Sequence, residues 1–337
     1  MALIVQKFGG TSLADPAARD MLAKKVGAAR DAGDEIVLVV SAMGRRGDPY
    51  ATDTLLDLLG EYSGGADGLT SDLLASCGEV ISACVIAALL NSRGIGAVPM
   101  TAHSAGIAAS GPFGDAAPSA IDPARLRAVL AAGKVPVVTG FQGVDATGTI
   151  LTLGRGGSDT SAVAIGAALG ADFVDIYKDV PGVAKADPRL VKGVPFMKFL
   201  DYDSMFRLAN HGARVLHDKS ALLAKASGLK MRVRSTFDEG EGTLIGPAGS
   251  PESKNEAIPV FLGLATSSVG KDLLQIVAVF AAGAGSEWIA VARQTAQAAG
   301  LGVSEQACAD PDAIAFLCPK SKAADFAASL FAALERR

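Results

Sequence analysis

Short apolar runs recur along the first two-thirds of the chain, each followed by a polar, glycine-bearing turn and then by a segment with helical spacing. Leu3 to Val5 is the first, and it leads into Lys7-Phe8-Gly9-Gly10-Thr11-Ser12. From Asp15 to Ala32, Leu13, Ala17, Met21, Leu22 and Val26 fall along one helical face, and Gly33 ends the segment. Ile36-Val37-Leu38-Val39-Val40 is apolar at every position, as a strand covered on both faces must be. It stops at Ser41-Ala42-Met43-Gly44, before a polar loop from Arg45 to Asp53. Further strands are predicted at Ala97–Met100, Val135–Thr139, Thr149–Leu153, Phe173–Tyr177, Met231–Arg234 and Thr243–Ile245. Helices are predicted from Ser76 to Leu90, Ala124 to Ala132, Ser161 to Leu169, Ser204 to Gly212 and Ser220 to Ala226. Gly106 to Ser119, rich in Gly, Ala, Ser and Pro, reads as a loop. Strands alternating with helices predict an α/β fold with a mainly parallel sheet and helices on both faces, its polar loops at the strand C-terminal ends.

Gly246-Pro247-Ala248-Gly249-Ser250-Pro251 has the composition of a linker, which we place at 246–258. Beyond it, strands at Val260–Thr266, Leu273–Phe280, Gly302–Ala307 and Ile314–Cys318 and helices at Ser286–Ala299 and Lys322–Leu334 predict a small α+β sandwich over 259–337. With 337 residues, two domains are expected: 1–245 and this smaller unit.

Composition narrows the function. Half of the residues are hydrophobic but only 5% are aromatic, so Ala, Val, Leu and Gly must fill the core. The net charge of −4 disfavours nucleic acid or an anionic membrane as partner. No stretch approaches 18 uninterrupted apolar residues, and the N-terminus lacks a signal-peptide pattern, so no membrane span and a cytoplasmic location are expected. Cys77, Cys84, Cys308 and Cys318 have no metal spacing; Cys77 and Cys84 read as reduced core residues. His103, His211 and His217 show no metal spacing either, and no protein metal site is expected.

The chemistry is organised around Gly154-Arg155-Gly156-Gly157-Ser158-Asp159-Thr160. Its glycines let the backbone approach a ligand, the helix that follows presents unpaired N–H groups to an anion, and Arg155 offers a planar fork for carboxylate or phosphate. Ser158 or Asp159 is the expected helix cap. Other loops add Lys7 beside Gly9 and Gly10, hydroxyls at Ser41 and Thr52, a helix-start carboxylate at Glu79, and a charged rim of Lys178, Asp179, Asp187 and Arg189. Phosphoryl transfer needs alignment and charge neutralisation more than covalent help, and these groups would supply both. Walker, Rossmann and Gly-x-Ser-x-Gly motifs are all absent. The residues alone leave a Gly-rich, anion-binding α/β protein.

Lys7-Phe8-Gly9-Gly10-Thr11, Val40-Ser41-Ala42-Met43-Gly44, Ser76-Cys77-Gly78-Glu79, Gly140-Phe141, Gly154 to Thr160 and Asp179…Asp187-Pro188-Arg189, in this order over roughly residues 1–245, resemble the aspartokinases of the amino-acid kinase family. The loop Arg46-Gly47-Asp48-Pro49-Tyr50-Ala51-Thr52-Asp53 is similar to a loop of bacterial aspartokinases. The resemblance implies a carbamate kinase-like three-layer sandwich plus a small ACT-like domain. It implies transfer of the ATP γ-phosphoryl group, with Mg²⁺ arriving on the ATP, to L-aspartate, the first step towards lysine, threonine and methionine. By the same resemblance, Lys7, Arg155 and Asp159 are catalytic. Ser41, Thr52, Glu79, Phe141 (through its backbone), Arg155, Gly156 and Ser158 bind the substrate, Glu79 its ammonium and Arg155 its carboxylate. Lys7, Gly9, Gly10, Lys178, Asp179, Ala184, Asp187, Arg189 and Arg214 bind the nucleotide.

The chain departs from the family pattern at Lys178, where threonine is usual, at Ala184, where a larger residue is common, and at Arg214, which replaces lysine. Lys178 either contacts the nucleotide phosphates or points outward. The smaller unit matches one ACT-like unit rather than two, and Leu301-Gly302-Val303-Ser304-Glu305 stands in place of the effector-loop Asn-Val-Asp. A homodimer through this unit, with weak or no feedback inhibition, is the expectation. A related kinase acting on another acidic substrate and a non-catalytic amino-acid sensor are the alternative readings.

Overall fold

A strand buried on both faces needs apolar side chains at odd and even positions alike. Ile36 to Val40 meets that demand, with every residue fully buried. The computed structural model describes residues 1–62, 67–213, 215–250, 258–300 and 302–335, and places this run in the middle of a parallel sheet. The chain forms two units, residues 1–181 with 223–241 and residues 182–222 with 242–337. The sequence reading has one boundary, near 245; by contacts the chain passes between the units at 181/182, 222/223 and 241/242.

In the first unit the elements run β1 (Leu3–Phe8), α1 (Pro16–Asp31), β2 (Glu35–Val40), α2 (Thr52–Gly60), α3 (Gly68–Ser92), β3 (Ala97–Met100), β4 (Ile107–Ser110), β5 (Ala117–Ile121), α4 (Ala124–Ala131), β6 (Val135–Thr139), β7 (Gln142–Val144), β8 (Ile150–Thr152), α5 (Gly157–Leu169) and β9 (Phe173–Lys178). Chain order continues with β10 (Phe199–Asp201), α6 (Tyr202–Asn210), α7 (Asp218–Ser227), β11 (Met231–Ser235) and β12 (Thr243–Gly246). Within the first unit the parallel strands lie in the order β11-β9-β1-β2-β6-β3. Alternation along β1 divides its side chains between two layers. Ile4 and Phe8 join Leu22 and Val26 of α1 and Ile86 and Leu90 of α3 in one cluster. Val5 faces the other way, beneath α5. Gly166 is what lets α5 come this close, since a Cβ there would lie 2.8 Å from both Val174 Cγ2 and Leu229 Cδ2. The layers are helix, sheet, helix.

Four expectations change. Gly106 to Ser119 is not a loop throughout: its two ends belong to β4 and β5, which pair antiparallel, and with β7 and β8 they form a separate sheet in the order β5-β4-β7-β8. The central Gly-rich motif therefore leaves this small sheet, not a strand of the main one. A helix, α2, begins at Thr52 within what reads as loop. α3 begins at Gly68, eight residues before Ser76, capped by the Asp67 carboxylate accepting from Thr70 N–H at 2.6 Å. By length and composition α3 is apolar enough to cross a bilayer, with a mean hydropathy of 2.2 over its best 18 residues. Half of that window is buried, and Asp72 and Glu79 are among the helix's buried residues, as in a core helix. Cys84 on α3 is exposed and Cys77 half-buried, so neither is a core residue, because both share a helix face with the exposed Leu73; all four cysteines are free.

Asp72 ties α3 to the small sheet. Its carboxylate accepts from Thr152 N–H at 2.7 Å, Thr152 Oγ1 at 2.8 Å and Gly114 N–H at 3.1 Å.

In the second unit β10 pairs parallel with β12. Then follow β13 (Phe261–Val269), β14 (Leu273–Phe280), α8 (Gly285–Ala299), β15 (Ser304–Gln306), β16 (Ala313–Pro319) and α9 (Ala323–Glu335). The strands form an antiparallel sheet in the order β13-β14-β16-β15. Phe261, Ile276, Phe280, Ile314 and Phe316 on one face pack with Ala292 of α8 and Phe326 and Leu330 of α9. This is the α+β arrangement that the strand and helix pattern predicts, and it fits an ACT-like unit. Of the expected linker, residues 251–257 lie outside the described residues.

Replacing Asp72 by alanine strands the buried Thr152 N–H and hydroxyl. Asp72→Ala is expected to lower stability by about 2–4 kcal/mol in urea unfolding.

Candidate active site

Strand alternation places Lys7 on the same face of β1 as Val5, under the start of α5. Only 5% of Lys7 is exposed, and a buried ammonium needs a counter-charge. Asp159, in the first turn of α5 and 3% exposed, supplies it: its Oδ1 lies 2.5 Å from Lys7 Nζ. A second lysine shares the same carboxylate. Lys178 Nζ donates to Asp159 Oδ2 at 3.0 Å. β1 and β9 are parallel neighbours with Lys7 opposite Ile176, so Lys178, two residues on, points to the same side. Lys178 therefore points inward, to Asp159, and not outward.

Burial acts on these groups with opposite results. It pushes the Asp159 carboxyl up, but the charges of Lys178 and Lys7 and their hydrogen bonds outweigh it and bring the pKa down to about 2. Burial pulls the Lys7 ammonium down, and Lys178's like charge adds to this; Asp159 resists, and the pKa settles at about 8. Glu79 of α3 is 2% exposed, and burial pushes its carboxyl up to about 8. Its Oε1 accepts from Ala42 N–H at 2.9 Å, while Oε2 has no partner. Lys7 and Glu79 are near enough for each to shift the other. Glu79 lies deep inside α3, not at a helix start, so the N-terminal dipole does not account for its presence.

The surrounding loops are knit to one another. A Cβ on Gly10 would lie 2.6 Å from Gly44 O and 2.8 Å from Ala42 O, so the loop after β2 already requires glycine there. Gly10 O accepts from Gly44 N–H at 2.9 Å. A Cβ on Gly9 would stand 3.6 Å from Lys7 Nζ. Ser41 is half-buried, its N–H donating to Phe8 O at 3.1 Å, and Thr52 is half-buried at the start of α2. Ser158 is buried against Gly140, where a Cβ would come within 2.8 Å of the serine Cβ.

Phe141 has φ 69°, the one positive value on a non-glycine residue among the described residues. Its N–H donates to Ser161 Oγ at 3.1 Å and its carbonyl accepts from Leu153 N–H at 2.8 Å, so its backbone is engaged within the protein. The cap of α5 is Gly156, left-handed at φ 70° and without a side-chain cap bond; neither Ser158 nor Asp159 caps the helix, since both already lie in its first turn. Arg155 is exposed beside it and makes no hydrogen bond or ion pair among the described residues.

Among the remaining nucleotide-side positions, Asp179, Asp187 and Arg189 are each held in an ion pair. Asp179 is exposed and pairs with Arg45 at 2.8 Å. Ala184, Asp187 and Arg189 belong to the second unit. There, Ala184 bridges to Phe196, and the Asp187 carboxylate accepts from Arg189 N–H at 2.9 Å and pairs with its guanidinium at 2.6 Å. Arg214 lies outside the described residues. The structure thus joins Lys7, Asp159, Lys178 and Glu79. The Lys178–Asp159 bond was out of reach of the sequence, because it depends on which strand lies beside β1.

A model of the amino acid kinase family matches residues 2–235. The chain is 42% identical over 245 residues to aspartokinase 1 of Bacillus subtilis, covering 73% of this chain and 61% of that protein. It is 37% identical over 297 residues to the aspartokinase of Thermus thermophilus, covering 81% and 72%. Among solved structures, aspartate kinase from Synechocystis superposes with a TM-score of 0.64 at 32% identity, over 98% of this chain and 55% of that one. E. coli aspartokinase III, solved with aspartate and ADP, superposes with a TM-score of 0.74 over 99% of this chain at 22% identity, a likeness of fold. The chain spans about three-fifths of the length of the Bacillus and Geobacillus relatives it matches. The family model's span and the Thermus relative together make this chain a member of the amino acid kinase family, among the aspartokinases.

Proposed function

We propose that this chain transfers the γ-phosphoryl group of ATP to the side-chain carboxylate of L-aspartate, giving 4-phospho-L-aspartate and ADP. The observation that carries the reading is the buried Lys7–Asp159–Lys178 cluster beside a buried carboxylate with an unpartnered oxygen. A carboxylate oxygen of aspartate attacks the γ-phosphorus, the bond to the bridging β-oxygen breaks, and its electrons leave with ADP. Lys7 offsets the charge on the phosphoryl oxygens in transit, in a site where low exposure strengthens that interaction. Glu79 Oε2 takes the α-ammonium as its missing donor, which keeps Glu79 ionised. Arg155, exposed and unpaired, takes the α-carboxylate in bidentate fashion, with Ser41, Thr52, Phe141, Gly156 and Ser158 around the substrate.

The nucleotide is assigned to Gly9, Gly10, Lys178, Asp179, Ala184, Asp187, Arg189 and Arg214. Mg²⁺ is assigned to the triphosphate, on which it arrives. A cytoplasmic homodimer joined through the β13–β16 unit, acting early in lysine and threonine synthesis, completes the proposal. The supporting feature is the chain's membership among the aspartokinases.

ATP-dependent formation of aspartyl hydroxamate is the direct assay. Lys7→Ala is expected to lower kcat by about 10²–10³, the scale of losing one electrostatic stabiliser. Glu79→Gln is expected to raise KM for aspartate roughly 10- to 100-fold, as losing a charged hydrogen bond would; an unchanged KM would remove Glu79 from the ammonium site. The free enzyme needs Glu79 ionised and Lys7 protonated. Activity therefore rises as pH climbs towards about 8, where Glu79 loses its proton, and falls above about 8, where Lys7 does. kcat/KM for aspartate should trace a narrow bell centred near pH 8.

A further inference from the structure

Asp159 offers two oxygens and each is held by a different lysine, Lys7 at 2.5 Å and Lys178 at 3.0 Å. The two lysines are not equivalent. The Lys7 side chain is 6% exposed and the Lys178 side chain 21%, at the outer end of β9. If Lys7 alone neutralised Asp159, moving Nζ to a phosphoryl oxygen would leave a buried carboxylate unpaired, which is strongly unfavourable. With Lys178 on the second oxygen, Asp159 keeps a cation throughout.

We propose that Lys178 is a positioning residue: by holding the second oxygen of Asp159, it frees Lys7 to leave that carboxylate for the phosphoryl group in transfer. The inference rests on the kinase reading above. Its charge also bears on the proton of Lys7. Asp159 from α5, Lys178 from the end of β9 and Glu79 from α3 are the charged groups acting on Lys7. Of these only Lys178 lowers its pKa, so removing it should move the Lys7 titration to higher pH.

The test compares the full chain with Lys178→Met, Lys178→Gln and Lys178→Arg, with thermal melts selecting the variants that fold. Lys7 ionisation is read from the pH dependence of its acetylation by acetic anhydride, followed by mass spectrometry. Turnover is read as aspartyl hydroxamate. The neutral variants should shift Lys7 titration, and the alkaline limb of kcat with it, to higher pH. They should also lower kcat by about tenfold or more, with KM for aspartate unchanged; Lys178→Arg should restore both. A neutral variant that only raises KM for ATP, leaving kcat and the Lys7 titration in place, overturns the proposal and leaves Lys178 with its nucleotide contact alone. A shifted titration with unchanged kcat overturns it as well. If the unaltered chain forms no hydroxamate, the kinase reading falls. The labelling then decides separately: a shifted Lys7 upholds the hold of Lys178 on the pair, and an unshifted one refutes it.

Discussion

A single carboxylate with almost no access to water is shared by two lysines, and much of the first unit is arranged to make that possible. Lys7 and Lys178 come from adjacent parallel strands, β1 and β9, whose register turns both side chains to one face. Asp159 reaches them because α5 starts directly above that face and lies close to the sheet, an approach that Gly166 permits. None of the three groups is stable alone at such burial, since an unpaired charge in a poorly hydrated interior is costly. Together they leave a net positive charge in a place of weak screening, which is the electrostatic condition for binding and transferring a phosphoryl group.

Burial opposes ionisation of both carboxylates, but only at Glu79 does it prevail. Asp159 has two cations in direct contact and falls to about 2; Glu79 has one backbone N–H and a more distant lysine, and rises to about 8. Two carboxylates of similar exposure are thereby held in opposite protonation states at neutral pH, one as permanent counter-ion and one awaiting a cation. Environment, not residue type, assigns the two roles.

Around this cluster the backbone is shaped by protein contacts as much as by any ligand. Gly10 is required by the loop after β2, and Gly140 by Ser158. Phe141 holds a left-handed conformation that costs about 1–3 kcal/mol, restrained by Ser161 on one side and Leu153 on the other. Asp72 anchors α3 to the small sheet from which the Gly154–Gly157 turn departs.

Most strands and helices could be read from the amino-acid order, because apolar runs and 3.6-residue spacing are local properties. Ile36 to Val40 and Leu273 to Phe280 fell where their patterns put them. The motifs that mark the family were equally legible, being short and contiguous. What the order of residues could not reveal was pairing. The β4–β5 hairpin lay hidden in a Gly- and Pro-rich stretch whose composition resembles a loop. Glu79 read as a helix-start carboxylate because the eight helical residues before Ser76 carry no strong apolar period. Which strand lies beside β1, and so which second cation meets Asp159, follows from contacts between residues nineteen apart in one case and more than 150 in the other. Such contacts are decided only when the sheet closes, by packing on both faces at once.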